Sequence, residues 1–339
     1  MKRIAIILIS LSLLPFFIFA KKLGNLSEVT KPVNLKVDKD RLYVIDERIK
    51  IYLYSLKSFK YVTSLLKKGE GPGECRSAPY CTIYPDCLSL FSIGKIMSIS
   101  KKLDYKEEFR IKRLSLRYVF PVGKNFVGYG WGINEKTGRY STDISIYTRD
   151  KDLKYKKLVY YAENSPITKP GQLEDYPMLP CSVDFIVYND KVFVSDPYRG
   201  MFVTIFDSNG NELNRINVNF EKKKVSEEFK KHWMDERWPD KAQWETYKKR
   251  VNAYFQEYYP PFFKFEVNNN KIYFFTYNRK GDLQEIVITD LKGKILKKSY
   301  VPRTRNKFGS DFTVDNDKYY YIVDNDEIEE WELHVVDIK

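Results

Sequence analysis

The sequence predicts an all-β fold, a six-bladed β-propeller with a helical insertion between blades four and five. Three observations carry this expectation. Residues 183–218, VDFIVYNDKVFVSDPYRGMFVTIFDSNGNELNRINV, hold four short apolar runs separated by turn residues. Weaker copies of that unit recur along the chain at a spacing of roughly 50 residues, the size of a propeller repeat. The last copy is one run short, while a segment near the start lacks a partner.

In residues 183–218 each run is four to six residues long and rich in Val, Ile and Phe, which pack well on a pleated surface. Asn189-Asp190 separates the first two runs with the dipeptide chemistry of a tight hairpin. Residues 207–210, DSNG, separate the last two, where Asn and Gly tolerate positive φ. Polar and apolar residues alternate poorly, as expected of a sheet covered on both faces. A four-stranded sheet cannot bury both faces by itself, so copies must stack.

The first copy is 33–66, with VNLKV, RLYVID, KIYLYSL and KYVTSLL. The second spans 81–111, the third 117–161, the fourth is the template, and the fifth spans 262–301. The sixth starts at Asp311 and holds only DFTVD, KYYYIV and ELHVVDI. Residues 25–30 are expected to supply its missing strand, because closing the ring removes an open sheet edge. An irregular β-sandwich is the alternative; six copies argue against it. The 27 tyrosines and 22 phenylalanines suit the wedge-shaped gaps between radial sheets.

Residues 221–261 break the strand pattern. Ser226 can cap a helix with Glu227 and Glu228 in its first turn. Trp244, Tyr247, Val251, Tyr254, Phe255 and Tyr258 follow at helical spacing, and Pro260-Pro261 ends the run. A helical hairpin is expected, its aromatic stripe packed on the propeller; a lid or docking helix is the sharper reading.

Residues 1–20 read as a signal peptide: Lys2-Arg3, then an apolar run from Ile4 to Phe19, then Ala20. The protein is expected to be exported, periplasmic or extracellular, with residues 21–339 forming the propeller domain. Ile18 stands where a small residue suits cleavage, so an uncleaved membrane anchor is the alternative and the one expected membrane contact. The net charge of +13 becomes +11 once Lys2 and Arg3 are removed. The lysines are scattered, which fits a solubilising surface better than a nucleic-acid footprint, and no nucleic-acid partner is expected. Export makes disulfides plausible among Cys75, Cys81, Cys87 and Cys181; a Cys75–Cys81 bond would staple the loop into blade two, and the spacing does not suit zinc.

The turns between first and second and between third and fourth strands are short in the units. The second-to-third connections and the links between blades, such as 67–80, 130–142, 162–180 and 221–261, are longer. In a propeller these two sets lie on opposite faces, so function is sought on the elaborated one, near the mouth of the central channel.

The segment 69–74, GEGPGE, has no dinucleotide-binding pattern, and Pro72 removes a donor where an anion would sit; a rigid turn is expected. With it in KKGEGPGECR, the signal and the blade pattern, the chain resembles bacterial exported six-bladed propellers of the NHL-repeat and TolB-like superfamily. That resemblance implies a binding or scaffolding module. Some NHL-like propellers are lyases that hold a metal through several histidines, whereas this chain has two, His232 and His334. Residues 207–212 resemble a calcium loop only superficially, since Glu212 stands where Gly is required. The acidic stretch 324–330 reads as a solvated loop.

Three blades carry an arginine just after the second strand: Arg48, Arg199 and Arg279. Their guanidinium forks suit carboxylate, phosphate or sulfate groups, or pair with neighbouring acids. Trp131, Tyr140 and Tyr198 on the same face could stack on sugar rings. These six are the candidate ligand-binding residues. The expected function is non-catalytic binding of a protein or a glycan or other anionic ligand at the loop-rich face. A carboxylate/Ca²⁺-dependent hydrolase or lyase at the channel mouth is the alternative, and Ca²⁺ the one cofactor that reading would need.

Overall fold

The computed structural model describes residues 20–111, 116–150, 153–166, 174–179, 182–304 and 311–338. Within them, six four-stranded antiparallel sheets stand in chain order around an axis. Blade one is β2–β5 (Pro32–Asp38, Arg41–Asp46, Ile51–Ser55, Lys60–Leu65) and blade two β6–β9 (Tyr80–Ile83, Cys87–Ser92, Lys95–Ser100, Tyr105–Arg110). Blade three is β10–β13 (Leu116–Val122, Asn125–Asn134, Arg139–Thr148, Tyr155–Pro166). Blade four is β15–β18 (Asp184–Tyr188, Lys191–Ser195, Phe202–Phe206, Glu212–Asn217). Blade five is β20–β23 (Lys264–Asn268, Lys271–Lys280, Leu283–Asp290, Ile295–Pro302). First strands face the axis: β2 abuts β6 and β24, β15 abuts β10 and β20, and β10 meets β7. The protein is a six-bladed β-propeller.

Blade six contains β24–β26 (Phe312–Asp315, Lys318–Asn325, Glu330–Asp337) and closes on β1, Lys21–Asn25, which lies antiparallel to β26. The missing strand thus comes from the start of the chain, but from 21–25 rather than 25–30. Residues after Asn25 must turn inward to reach β2, the axial strand of blade one. Leu26 and Val29 are buried in that turn, and the Trp331 Nε1 donates to the Thr30 carbonyl at 2.9 Å. Lys22 Nζ lies 2.6 Å from Glu332 Oε1 across the closure.

Turn chemistry sets the plain face. Asn189-Asp190, Asn269-Asn270 and Asn316-Asp317 all take positive φ at both positions, the primed turn that matches strand twist. Asp207 forms the expected hairpin turn, its Oδ1 accepting from the Asn209 and Asn211 amides at 2.8 Å each. The core runs around the ring through the gaps between blades. Tyr43 packs with Leu90 between blades one and two, Val203 with Phe274 between four and five, and Phe275 with Phe312 and Tyr319 between five and six.

Three expectations are corrected. Residues 130–142 are no loop: β11 and β12 run ten residues each, paired to Asn134–Arg139, so the hairpin extends past the blade. The insertion forms α1 (Glu227–Arg237), capped by Ser226, and α2 (Lys241–Tyr247), capped by Asp240, and there the helical run stops. Val251–Tyr254 is instead β19, parallel to β14 (Glu174–Pro177). Periodicity alone could not foresee a strand partner 77 residues away, fixed by the Asn252 amide on Asp175 at 2.9 Å. Of the expected stripe, Trp244 and Phe255 cluster with Phe229 and Trp233 of α1 and with Tyr277 of blade five, whereas Tyr254 and Tyr258 are exposed. Finally, Cys75 and Cys81 are buried free thiols and Cys87 is also free, so there is no Cys75–Cys81 staple. Burial pushes Cys75 up to about 11 and Cys81 to about 12, far from thiolate reactivity. Cys181, like residues 1–19 of the signal reading, lies outside the described residues.

The segment 69–74 is the rigid turn expected. The Glu74 carboxylate folds back to accept from the Gly71 amide at 2.8 Å, and a Cβ on Gly69 would meet that carboxylate at 2.0 Å. Lys95 from β8 enters the loop, donating to the carbonyls of Gly71 at 2.7 Å and Glu74 at 3.1 Å and pairing with Glu108 at 3.1 Å. Carbonyls and an ammonium fill the loop, which is the opposite of a phosphate cradle.

Candidate functional site

The connection between blades four and five carries α1 across the elaborated face, over the seam between blades five and six. Beneath it is a cavity of about 300 Å³. Its walls are aromatic: Phe263, Phe275 and Tyr277 from blade five, Phe312 and Tyr319 from blade six, and Trp233 from α1 above. The rings are set against one another, Phe275 to Phe312 at 4.5 Å and Phe312 to Tyr319 at 5.2 Å between centroids, so the walls are rigid.

Polar groups enter at the roof side. Arg279 lies within β21, one residue from its end and paired with Gln284, rather than beyond the second strand as expected. Arg303 and Thr304 follow β23, and Glu236 and Arg237 come from the last turn of α1. Glu236 bonds Arg303 and lies 3.7 Å from Arg279 Nη1 and 3.0 Å from His232. Although burial works against its ionisation, Arg303, then Arg279 and His232, hold its carboxyl below the usual range. Arg237 donates to the Tyr176 hydroxyl at 2.9 Å.

Arg279 is the unusual member. Its side chain is only 15% exposed, and its guanidinium lies 4.8 Å from the Phe229 centroid and 5.7 Å from that of Trp233. Burial first, then the neighbouring Arg303 charge, lowers its pKa to about 10 against the opposing pull of Glu236. Among the described residues its Nε and Nη1 are buried without a hydrogen-bond acceptor, and so are Arg237 Nε and Trp233 Nε1. All four are donors, and all three residues line the one cavity.

The six residues singled out from the sequence are not brought together. Arg48 is exposed beside a separate groove with Glu47, Lys68 and Arg76. Trp131 and Tyr140 stack on each other at 5.0 Å on the extended hairpin of blade three, with Arg117 over Trp131 at 5.1 Å. Tyr198 is exposed, while Arg199 pairs with Asp196 at 3.3 Å and lies over Tyr160 at 5.6 Å. Arg279 alone reaches the cavity. Trp233, Glu236, Arg237 and Arg303 escaped sequence reasoning because only the fold brings α1 onto blade five. A WMDER run in an insertion otherwise read as a packing helix was the one available signal.

Near the axis, acids and bases are engaged with one another. Lys264 Nζ lies 2.8 Å from Glu266, which also accepts from the Val314 amide at 2.8 Å. Asp184 accepts from the Phe185 amide at 2.8 Å and the Tyr118 hydroxyl at 3.3 Å, and burial raises its pKa. Among the described residues, no group of three or more His, Cys, Asp or Glu side chains is placed to hold a metal ion. No helix among them is long and apolar enough to cross a membrane.

Fold and site define a six-bladed propeller with a helix-roofed, arginine-bearing aromatic cavity on its elaborated face. No protein-family model matches the sequence, and no curated protein matches it. Among solved structures the chain is similar to the computationally designed Ika8 protein, at 7% identity over 92% of this chain and 99% of that one, with a TM-score of 0.41. It is also similar to the WD40 β-propeller domain of Doa1 (9% identity, 94% and 97% coverage, TM-score 0.43). A third is BamB from Moraxella catarrhalis (10% identity, 91% and 85% coverage, TM-score 0.35).

Proposed function

We propose that this propeller is an exported, non-catalytic binding module, and that the cavity under α1 on its loop-rich face is the ligand site. One observation carries the reading: among the described residues, four buried N–H donors on three residues that line one cavity have no acceptor. Buried polar groups are nearly always satisfied, and leaving one unmet costs about 1–3 kcal/mol. Such a cluster is the mark of a surface completed by something other than the protein itself. The basic-then-apolar opening of the sequence supports export. The hydrolase or lyase alternative has less support, since Asp184 and Glu266 near the axis are committed to Tyr118 and Lys264.

A fragment screen read by thermal shift tests the reading. Fragments that stabilise the protein should also change its tryptophan fluorescence, because Trp233 forms the roof. A screen with no stabilising fragment of any charge class would count against a ligand site here.

A further inference from the structure

We infer that the cavity takes a small monocarboxylate with an aromatic or compact aliphatic body, and that Arg279 fixes its carboxylate; this rests on the binding-module reading above.

Charge comes first. Three guanidiniums, Arg237, Arg279 and Arg303, face a single carboxylate, Glu236, in the lining. Arg303 is held by Glu236 and Arg237 by Tyr176. Arg279 is left with its nearest acid atom at 3.7 Å, too far for a hydrogen bond. A neutral ligand or a water could accept from the donors but would leave that buried charge only partly compensated, by a Glu236 carboxylate already shared with Arg303. A carboxylate offers roughly four lone-pair positions, which suits a lining that carries three guanidiniums and the indole of Trp233. A dianion such as phosphate would bring its second charge up against Glu236.

Shape follows from the walls. Phe263, Phe275, Tyr277, Phe312 and Tyr319 present ring faces and edges, which favour an apolar body on the side away from the arginines. Size is set by the volume of about 300 Å³. A cavity of roughly 150 Å³ takes up benzene, so one about twice that size accommodates a body of on the order of ten non-hydrogen atoms. Phenylacetate and 3-phenylpropanoate are of that size and polarity.

Isothermal titration calorimetry on the whole protein would use 3-phenylpropanoate, its amide 3-phenylpropanamide, and inorganic phosphate. The acid should bind, the amide roughly 10–100-fold more weakly, since hydrogen bonds to charged groups contribute about that factor. Arg279→Met should weaken the acid by a similar factor and leave the amide nearly unchanged. Arg48→Met, on the same face but beside another groove, should leave both unchanged. The acid–amide comparison uses unaltered protein, so it stands even where a variant misfolds. Equal binding of acid and amide would overturn the carboxylate assignment while leaving a ligand site in place. So would Arg279-dependent binding of phosphate without binding of the acid, or binding confined to neutral fragments. Failure of every probe and of the fragment screen would remove both readings together.

Discussion

Replacing Arg279 by Met should make the free protein more stable. In the folded chain the Arg279 pKa falls from its ordinary value to about 10, with burial the largest cause. At 1.36 kcal/mol per pH unit this corresponds to about 3 kcal/mol of cost to the folded state at neutral pH. The sign follows from linkage. The unfolded state binds this proton more tightly, so the cost is present at every pH below about 10 and is relieved as pH rises through it. Met removes the buried charge and the two orphaned donors, but also the contacts with Phe229 and Trp233, worth about 0.5–2 kcal/mol together. The net expectation is a gain of about 1–2 kcal/mol, because Glu236 keeps Arg303 as its partner and is not left as an unpaired buried charge. Urea denaturation at pH 7, followed by tryptophan fluorescence, should show a higher midpoint with an unchanged m-value. Saturating 3-phenylpropanoate should then reverse the order, since a hundredfold excess over Kd stabilises the unaltered protein by about 2.7 kcal/mol. A variant at least 1 kcal/mol less stable than the parent would refute the reasoning, because Arg279 would then be a structural pairing partner.

Two further outcomes bear on the frame around the site. Lys95→Met should destabilise by about 2–3 kcal/mol, because it removes the buried ammonium on which the carbonyls of Gly71 and Glu74 converge, while Glu108 keeps the Gly73 amide and Arg110. Hydrogen exchange should show residues 69–75 losing protection first, and unchanged exchange there would contradict the cradle. Glu332 should make the ring closure acid-sensitive: hydrogen bonds from Lys22, then Asn325 and His334, lower its pKa from 4.5 to about 2. A lowered carboxyl pKa contributes stability above the unfolded value that is lost as pH falls, here between about 4.5 and about 2. Exchange at the β1 amides should rise across that window, and Glu332→Gln should flatten the rise.

The axial cluster illustrates how the two levels of information divide. Nothing in the sequence separates Lys264 and Glu266 from scattered surface charges, yet the fold turns both toward the axis and pairs them at 2.8 Å. Arg48, Arg199 and Arg279 show the same division. In the sequence all three read as following the second strand of a blade, and sequence reasoning had no ground to rank them. The structure exposes Arg48, satisfies Arg199 with Asp196 at 3.3 Å, and buries Arg279 under α1 with two donors unmet. A guanidinium's environment is set by what packs over it, and here that is an insertion whose path is not encoded locally.

By itself the sequence determined the blades. Short β-branched and aromatic runs, punctuated by Asn-Asp, Asn-Asn and Asn-Gly turns, specify strands and hairpins through interactions between near neighbours. The deficit of one run in the last unit also implied closure by the start of the chain, through the cost of an open edge. Only the tertiary structure decided where that closing strand begins, where the insertion's helices stop and which arginine meets the cavity. Each of those depends on contacts between residues distant in the chain: Lys22 with Glu332, Asn252 with Asp175, and Arg279 with Trp233 and Glu236. Local propensity and periodicity carry no information about such pairs, because the energy that selects them exists only once the ring has formed.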